Sequence, residues 1–592
     1  MSPWFSILVG LVRRHSVAFL IAFCVGMVTV LPQVMQRIEE GNAYRGIVMR
    51  GTDTEEYYLI RIREAYDGHL TLASPDLYEY KQAPYVQPPL PEIVMAGAAR
   101  VLGMSVPPFV AVSKFLLPFL LALVLYALVR WMTGNMVLAL AVSPAVILVG
   151  QTAVSGGALL QLLRLNLGAF SSMVDYARPI SPQFTSLLFF LWLVFWYTWL
   201  RNPGKRVWFC AGAVTLGLLV YVYLFAWLLA MGITLLMLFV SLLPRVRTEG
   251  VRFLKVGAYF ILSLLVTIPY WINSYHVFTR PLYDVLQKRY GFYASREPLW
   301  SDLLALDLVL VVGIYWKKKK NETFTLLLTW ILSIFILTNQ QVITGLRFYP
   351  GHWHWYYTTP LTIFVLLWIV CEVVRRWPRV QVAFAVFVIM GSIGVGVMKQ
   401  TIAFARLRAS SAAEQRLAGP LQWLQYHTKK DDVVMASGGL NELVPIYTHA
   451  NAYFSRWGEF YLVPHERFRD RMFARLYLNG AREDTIAYSI TADNKDVYEY
   501  LFGRFRLRRG ECAQGCFTPL ELQGVKDEYL AWLKEVDFEQ FLRKYRLDYA
   551  AWDVETSPQW RLDQYPFFEF IEEMNGVRMY RMKDERSQVS YR

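Results

Sequence analysis

The sequence predicts an α-helical polytopic membrane protein with about eleven transmembrane helices and a C-terminal extracytoplasmic α/β domain. Of its 592 residues, 55% are hydrophobic and only 18% are charged, whereas soluble domains average about 25% charged residues. Apolar runs of roughly 20 residues, enough to cross a bilayer, recur through residues 1–400. Residues 401–592 instead alternate short helical and strand patterns, as small α/β domains do.

Eleven apolar segments are candidate spans, because a chain in lipid must satisfy its own backbone hydrogen bonds and therefore forms helices. The run 206–243 is too long for one span and is divided in two. The first run follows Arg13 and Arg14 and is interpreted as a retained span rather than a cleaved signal peptide. The candidate spans are 16–35, 107–131, 135–153, 183–200, 206–222, 223–243, 252–272, 300–316, 322–338, 360–375 and 379–399.

The distribution of basic residues orients these spans. Cytosolic loops are enriched in Lys and Arg, so Arg13 and Arg14 place the N-terminus in the cytosol. When the chain then crosses alternately, the short basic loops all fall on the cytosolic side and the C-terminal domain lies outside. These short loops are 130–135, 201–206, 245–255, 317–320 and 375–379.

The net charge of +14 belongs to these loops rather than to a nucleic-acid-binding surface. Residues 1–399 contain 33 basic and 18 acidic side chains, whereas residues 400–592 contain 27 and 28. The basic excess therefore lies in the membrane part, where topology explains it. Nucleic acid is not expected as a partner.

The long loops and the C-terminal domain share the outer face, where the chemistry is expected. The first outer loop, 36–106, is predicted to contain a helix over 54–68 with Leu59, Ile62 and Tyr66 on one face. A second, short helix over 92–103 is expected to lie in the membrane interface. The other outer loops are 154–182, 273–299 and 339–359.

The C-terminal domain is predicted to begin with a helix over 412–428 and to contain another over 441–448. Cys512 and Cys516 can form a local disulfide if the domain faces an oxidising compartment. The same two cysteines could instead bind zinc, but two ligands alone are weak support for a zinc site. The predicted strands are 431–436, 452–455, 547–552 and 577–582.

The strongest signal for a functional site is acidic. Asp53, Glu55 and Glu56 follow the first span on the outer face. A carboxylate placed there can act as general base toward an acceptor hydroxyl. Alternatively, Asp53 and Glu55 can hold a divalent cation, Mg²⁺ or Mn²⁺, beside a phosphate leaving group. The structural alternative is that Asp53 caps the following helix and the two glutamates complement its dipole.

A second signal lies just before the span 360–375. Arg347, His352, His354 and Tyr356 stand there among many aromatic residues. Arginine binds phosphate as a bidentate fork, and aromatic rings stack on sugars or lie along lipid chains. An interfacial aromatic belt explains the Trp and Tyr residues but explains the arginine and the histidines less well. A phosphate- or substrate-binding role is therefore predicted for this segment.

Two arginines in the other outer loops complete the candidate site. Arg178 follows Asp175 in the second outer loop, and Arg289 lies in the third. Cations are under-represented on the outer face, so these two arginines need an explanation. The alternatives are a polyanionic ligand, a lipid headgroup and simple solvation.

Together these features resemble the GT-C superfamily of membrane glycosyltransferases. The resemblance rests on the acidic first outer loop with Asp53-x-Glu55 before a Tyr-rich helix, on Gly217-x-x-x-Tyr221-x-Tyr223 in the middle spans and on the C-terminal outer domain. It implies transfer of a sugar from a polyprenyl-phosphate donor to a glycan, lipid or protein acceptor, at a bacterial inner or plasma membrane. It also implies that Asp53, with a neighbouring glutamate, serves as base or metal ligand.

By the same resemblance, Arg347 and His354 would stabilise the departing phosphate. Oligosaccharyltransferase catalytic subunits carry a Trp-Trp-Asp-Tyr-Gly motif, which this chain lacks, so transfer of a single sugar is expected. Two other classes stay open. A lipid-linked glycan transporter would depend on charged groups inside the spans, such as Lys114. An envelope glycan ligase or polymerase would not need Asp53.

Overall fold

A computed structural model describes residue 10 and residues 12–164, 166–242, 253–318, 322–513 and 515–583. It confirms a polytopic helical membrane protein whose C-terminal domain is built on a β-sheet. Within these residues, seven helices are long and apolar enough to cross a membrane, and three shorter apolar helices accompany them. The predicted cytosolic loops 245–255 and 317–320 lie largely outside the described residues, and the orientation of the chain stays a prediction.

Within the described residues, each of the eleven predicted spans overlaps helical structure. The helices of the membrane part and its outer loops are α1 (Ser16–Glu40), α2 (Glu55–Tyr66), α3 (Leu90–Val101), α4 (Val106–Thr133), α5 (Met136–Pro144), α6 (Gln151–Val154), α7 (Gly156–Leu163), α8 (Gln183–Arg201), α9 (Arg206–Leu218), α10 (Leu224–Val240), α11 (Phe253–Phe278), α12 (Tyr283–Tyr290), α13 (Asp302–Lys318), α14 (Glu322–Thr338), α15 (Gln341–Thr344), α16 (Gly351–Trp353), α17 (Thr359–Val373) and α18 (Pro378–Glu414). Two π-helical segments, Ala145–Val149 and His354–Thr358, follow α5 and α16.

The division of the long apolar run 206–243 is confirmed. Helix α9 ends at Leu218, a 3₁₀ turn covers Leu219–Tyr221, and α10 starts at Leu224. Helix α9 packs closely on α11, because a Cβ on Gly217 would lie 2.7 Å from the Ser263 carbonyl oxygen. Glycine is therefore required where these two helices approach each other.

Helix α18 is longer than the span predicted for it. Its 37 residues make it about 55 Å long at 1.5 Å per residue, against roughly 30 Å for the hydrocarbon core. The predicted end at residue 399 followed the loss of hydrophobicity, but no proline interrupts the helix beyond that point. The helix therefore continues to Glu414 and carries the chain into the C-terminal domain.

The C-terminal domain contains a five-stranded sheet in the order β4-β3-β5-β7-β6. Strands β4 and β5 pair with β3 in parallel, and β7 pairs with β5 and β6 antiparallel. The two short strands β1 (Tyr293–Ala294) and β2 (Leu346–Arg347) pair separately in the outer loops. The remaining elements are β3 (Val433–Ala436), β4 (Asn451–Ala452), β5 (Tyr549–Asp553), β6 (Phe568–Met574), β7 (Val577–Met582), α19 (Ala418–His427), α20 (Leu440–Tyr447), α21 (His465–Leu478), α22 (Ile486–Ser489), α23 (Lys495–Tyr500), α24 (Gly503–Arg509), α25 (Pro519–Glu535) and α26 (Phe538–Arg543).

Both faces of this sheet are covered. Along β3, Val433 and Met435 pack into one apolar cluster, whereas Val434 and Ala436 pack into another. Successive side chains of a strand point to opposite faces, so the uninterrupted apolar run at β3 reflects burial on both sides. Strand β6 and the helices between residues 465 and 543 were not part of the sequence prediction.

The first outer loop forms one hydrophobic core with the C-terminal domain. Tyr57 of α2 contacts the rings of Trp457 and Phe460 at centroid distances of 5.7 and 5.2 Å. Helix α2 is buried on almost every side rather than along the single face predicted for it. The acidic segment that precedes α2 is thereby held between the membrane helices and the C-terminal domain.

Candidate functional site

Glu55 fixes the acidic segment at the start of α2. One of its carboxylate oxygens lies 2.5 Å from the ammonium of Lys114 on α4. The other accepts hydrogen bonds from the backbone N–H groups of Gly51 and Thr52 and from the Thr52 hydroxyl. Burial opposes ionisation of Glu55, but Lys114 and these hydrogen bonds outweigh it and hold the pKa of the carboxyl below its usual range. Glu55 therefore anchors the loop that carries Asp53.

Asp53 has the opposite environment. Its side chain is 84% exposed and lies 3.8 Å from the guanidinium of Arg178, whose side chain is only 19% exposed. The N-cap position of α2 is Thr54, which makes no side-chain capping bond, so Asp53 does not cap the helix. The acidic motif thus presents one free carboxylate to solvent beside a cation from the second outer loop.

Arg178 is positioned by two tyrosines from different parts of the chain. Its guanidinium donates to the hydroxyl of Tyr58 on α2 at 3.2 Å and to that of Tyr356 at 3.3 Å. It also lies over the Tyr58 ring at 5.4 Å. Burial disfavours the charge, but Tyr58, Tyr356 and Asp53 outweigh it and raise the pKa of Arg178. This arginine therefore stays cationic, with one side turned toward Asp53.

An aromatic cluster extends the site from Tyr356. The imidazole of His352 is hydrogen-bonded to the Tyr223 hydroxyl at the start of α10. The same imidazole stacks on Tyr349 at 5.3 Å and lies 6.1 Å from the ring of Tyr356. His352 and Tyr356 therefore lie in one cluster with Asp53 and Arg178, and their role in binding substrate stays a prediction.

Glu56 faces away from this arrangement. Its carboxylate lies 3.6 Å from Arg50, which also binds Glu414 at 2.8 Å. Burial raises the pKa of Glu56 although Arg50 opposes the shift. Its role as a partner of Asp53 stays a prediction.

The remaining predicted residues occupy other places. Arg347 lies on β2, with its guanidinium 5.7 Å from the Tyr293 ring. His354 begins the π-helical segment before α17 and is half-buried. Arg289 donates to the backbone carbonyl of Glu499 at 3.2 Å and contacts the His465 ring at 2.9 Å. These contacts give Arg289 a place in the interface with the C-terminal domain rather than beside Asp53.

Two of the three carboxylates of the acidic segment already have cationic partners other than Arg178. Both carboxylate oxygens of Glu55 already have partners, and Glu56 pairs with Arg50. Across the described ranges, no cluster of three or more His, Cys, Asp or Glu side chains is arranged to hold a metal ion. Asp53 and Asp175 both act on Tyr356 and are exposed, and a hard cation prefers more ligands than two carboxylates.

Some residues of the site were not assigned by the sequence. Tyr58 and Tyr223 stood within recognised motifs, but nothing in their spacing showed that they would position Arg178 and His352. Lys114 was considered as a transport residue and is instead the buried partner of Glu55. Cys512 and Cys516, for which two alternatives were open, form a disulfide.

The fold and this cluster define a polytopic membrane protein with a carboxylate–arginine–tyrosine site at the junction of its outer loops and C-terminal domain. Comparison with family models and with curated proteins gave no match. Among solved structures, the chain is similar to an oligosaccharyltransferase from Archaeoglobus fulgidus in the apo form, with 12% identity and a TM-score of 0.44 over 95% of this chain and 74% of that one.

Two further solved structures are similar to the chain. One is the same Archaeoglobus fulgidus enzyme in complex with Zn and sulfate, with 12% identity and a TM-score of 0.43 over 94% of this chain and 73% of that one. The other is ArnT from Cupriavidus metallidurans bound to undecaprenyl phosphate, with 12% identity and a TM-score of 0.38 over 93% of this chain and 97% of that one.

Proposed function

We propose that the protein is a membrane glycosyltransferase that moves a sugar from a polyprenyl-phosphate donor to an acceptor at the outer face of the membrane. The observation that supports this most directly is the pair formed by Asp53 and Arg178. An exposed carboxylate can accept a proton from an acceptor hydroxyl, and a guanidinium 3.8 Å away can bind a phosphate. The two groups are close enough to act on one glycosyl phosphate.

In the proposed reaction, Asp53 takes the proton of the acceptor hydroxyl while the hydroxyl oxygen attacks the anomeric carbon of the sugar. The bond between that carbon and the phosphate oxygen breaks, and polyprenyl phosphate leaves with the electron pair. Arg178 stabilises the negative charge that develops on the leaving phosphate. Arg347, His352 and His354 are proposed contacts to the sugar or phosphate of the donor.

The transporter hypothesis relies on charged groups inside the spans, such as Lys114. In the structure Lys114 is fully buried and paired with Glu55, which favours a structural role. The ligase or polymerase hypothesis predicts that Asp53 is dispensable. A comparison of wild type with Asp53→Asn therefore separates both hypotheses from the glycosyltransferase.

The test compares wild type with Asp53→Asn in isolated membranes supplied with radiolabelled polyprenyl-phosphate sugars. We expect wild type to transfer label to an acceptor and the variant to lose transfer by about 100-fold or more, the usual contribution of a general base. Asp484→Asn is the matched control, because Asp484 is an exposed carboxylate in a turn of the C-terminal domain.

Equal transfer by wild type and Asp53→Asn, at equal protein levels, would remove Asp53 from the reaction. Movement of the intact lipid-linked sugar across the membrane without bond cleavage would instead support the transporter. Transfer of a preassembled glycan polymer by both proteins would support the ligase.

A further inference from the structure

Helix α24 of the C-terminal domain is unusually basic. Its seven residues, Gly503–Arg509, include four arginines. Three of these are neutralised by carboxylates: Arg504 by Glu459, Arg506 by Glu521 and Arg509 by Glu511. Within the part of the chain that the structure describes, Arg508 has no carboxylate within ion-pair distance.

Arg508 lies against the aromatic cluster of the site. Its guanidinium is 4.4 Å from the centroid of the Tyr349 ring, and Tyr349 stacks on His352. The positive charges of Arg178 and Arg508 both act on the His352 imidazole. An unneutralised cation of the C-terminal domain therefore stands at the same cluster as Arg178.

The approach of α24 depends on a glycine. Gly291, which follows α12, has a φ of +76°, and a Cβ there would lie 2.9 Å from Cγ of Arg508 and 3.2 Å from the Arg504 carbonyl oxygen. Because Gly291 has no side chain, the stem of Arg508 can lie directly on this backbone. Arg508 as a whole is an exposed residue, so its side chain is accessible to a ligand.

We propose that Arg508 is a donor-binding residue contributed by the C-terminal domain. It binds the phosphate of the polyprenyl-phosphate donor together with Arg178, so that two guanidinium groups from different domains hold one phosphate. The chemistry suits this role, since arginine presents a planar fork that matches phosphate oxygens. The inference rests on the proposed function and adds to it a residue outside the membrane part.

The test measures binding rather than transfer. Purified full-length wild type, Arg508→Ala and Arg508→Lys are titrated in detergent micelles with undecaprenyl phosphate and, separately, with undecaprenol, which lacks the phosphate. We expect Arg508→Ala to weaken binding of undecaprenyl phosphate by about tenfold, the effect of losing one charge-assisted hydrogen bond. Binding of undecaprenol should not change, and Arg508→Lys should retain part of the affinity.

Arg509→Ala is the matched control, because Arg509 lies on the same helix, is exposed and already pairs with Glu511. Unchanged phosphate binding in Arg508→Ala, or equal losses in the two alanine variants, would overturn the inference while leaving the proposed function standing. If wild type bound undecaprenyl phosphate no better than undecaprenol, the inference and the proposed donor would both fail.

Discussion

Two carboxylates separated by one residue take opposite roles because their surroundings differ. Glu55 is buried, fully hydrogen-bonded and paired with Lys114, whereas Asp53 is exposed beside Arg178. We therefore assign Glu55 a positioning role: it binds the backbone N–H groups of Gly51 and Thr52, which come directly before Asp53.

The contributions of Lys114 and Glu55 to the free energy of unfolding should be strongly coupled, because the two side chains form a buried ion pair. Replacing Lys114 by Met leaves an unpaired buried carboxylate, which should cost about 3–5 kcal/mol. Glu55→Gln should cost a similar amount, but the double variant should cost clearly less than the two single losses together. Thermal unfolding of the purified proteins in detergent measures these differences, and additive losses would show that the two groups do not act as a pair.

Asp76 predicts a pH dependence of stability. It lies in the first outer loop, where its carboxylate accepts a hydrogen bond from the Ser455 hydroxyl at 2.7 Å. Burial raises the pKa of Asp76 from its ordinary value of 3.8 to about 6, with Glu64 adding to the shift and Lys81 opposing it. The folded state therefore holds this proton more tightly than the unfolded state does.

Because the folded pKa is the higher one, ionisation of Asp76 should lower stability as the pH rises from about 4 to above 6, by an amount on the order of 3 kcal/mol. Asp76→Asn should remove this contribution. We expect the melting temperature of the variant to exceed that of wild type increasingly between pH 4.5 and pH 7. A difference that stays constant over this range would contradict the assignment.

At the scale of elements, the contact between α9 and α11 should tolerate no added volume. In Gly217→Ala the new Cβ would lie 2.7 Å from the Ser263 carbonyl and 2.5 Å from Cβ of Val266. The Ser263 backbone and the branched Val266 side chain cannot both move away from the new Cβ. We therefore expect the free energy of unfolding to fall by about 1–3 kcal/mol, as is typical of overpacking. The measurement is thermal unfolding in detergent.

Gly257→Ala on α11 is the control for this change, since a Cβ there meets no atom within 4 Å. Equal melting temperatures for Gly217→Ala and wild type would show that the two helices separate without cost.

The membrane helices were predictable because the bilayer imposes a length and a polarity that the sequence must match. The end of α18 was not predictable from hydrophobicity, because the helix continues as a polar helix to Glu414. The full burial of α2 was not predictable either, since it depends on what the C-terminal domain covers. In the C-terminal domain, β3 was found from its apolar run, while β6 was missed. The burial pattern of Phe568–Met574 is mostly exposed, so this edge strand lacks an apolar signal.

At the scale of the whole molecule, the sequence indicated individual residues of the candidate site but not how the fold groups them. Asp53, Arg178, His352 and Tyr356 were predicted individually, because charges and histidines on the outer face of a membrane protein are informative by type. Their grouping was not predictable, since it joins α2, the second outer loop and the segment before α17. Arg508 could not be singled out from the sequence. Three other arginines stand on the same short helix, and only the structure shows that these three pair with carboxylates.

The shared core of the first outer loop and the C-terminal domain has a consequence for biosynthesis. Asp76 and its partner Ser455 are 379 residues apart. At about 5–20 residues per second, a ribosome needs roughly 20–80 s to make the chain between them. During that time Tyr57 of α2 lacks its aromatic partners Trp457 and Phe460 in the C-terminal domain. The nascent chain should therefore be most vulnerable to proteases and aggregation in this interval, and a factor that shields the first loop would improve its yield.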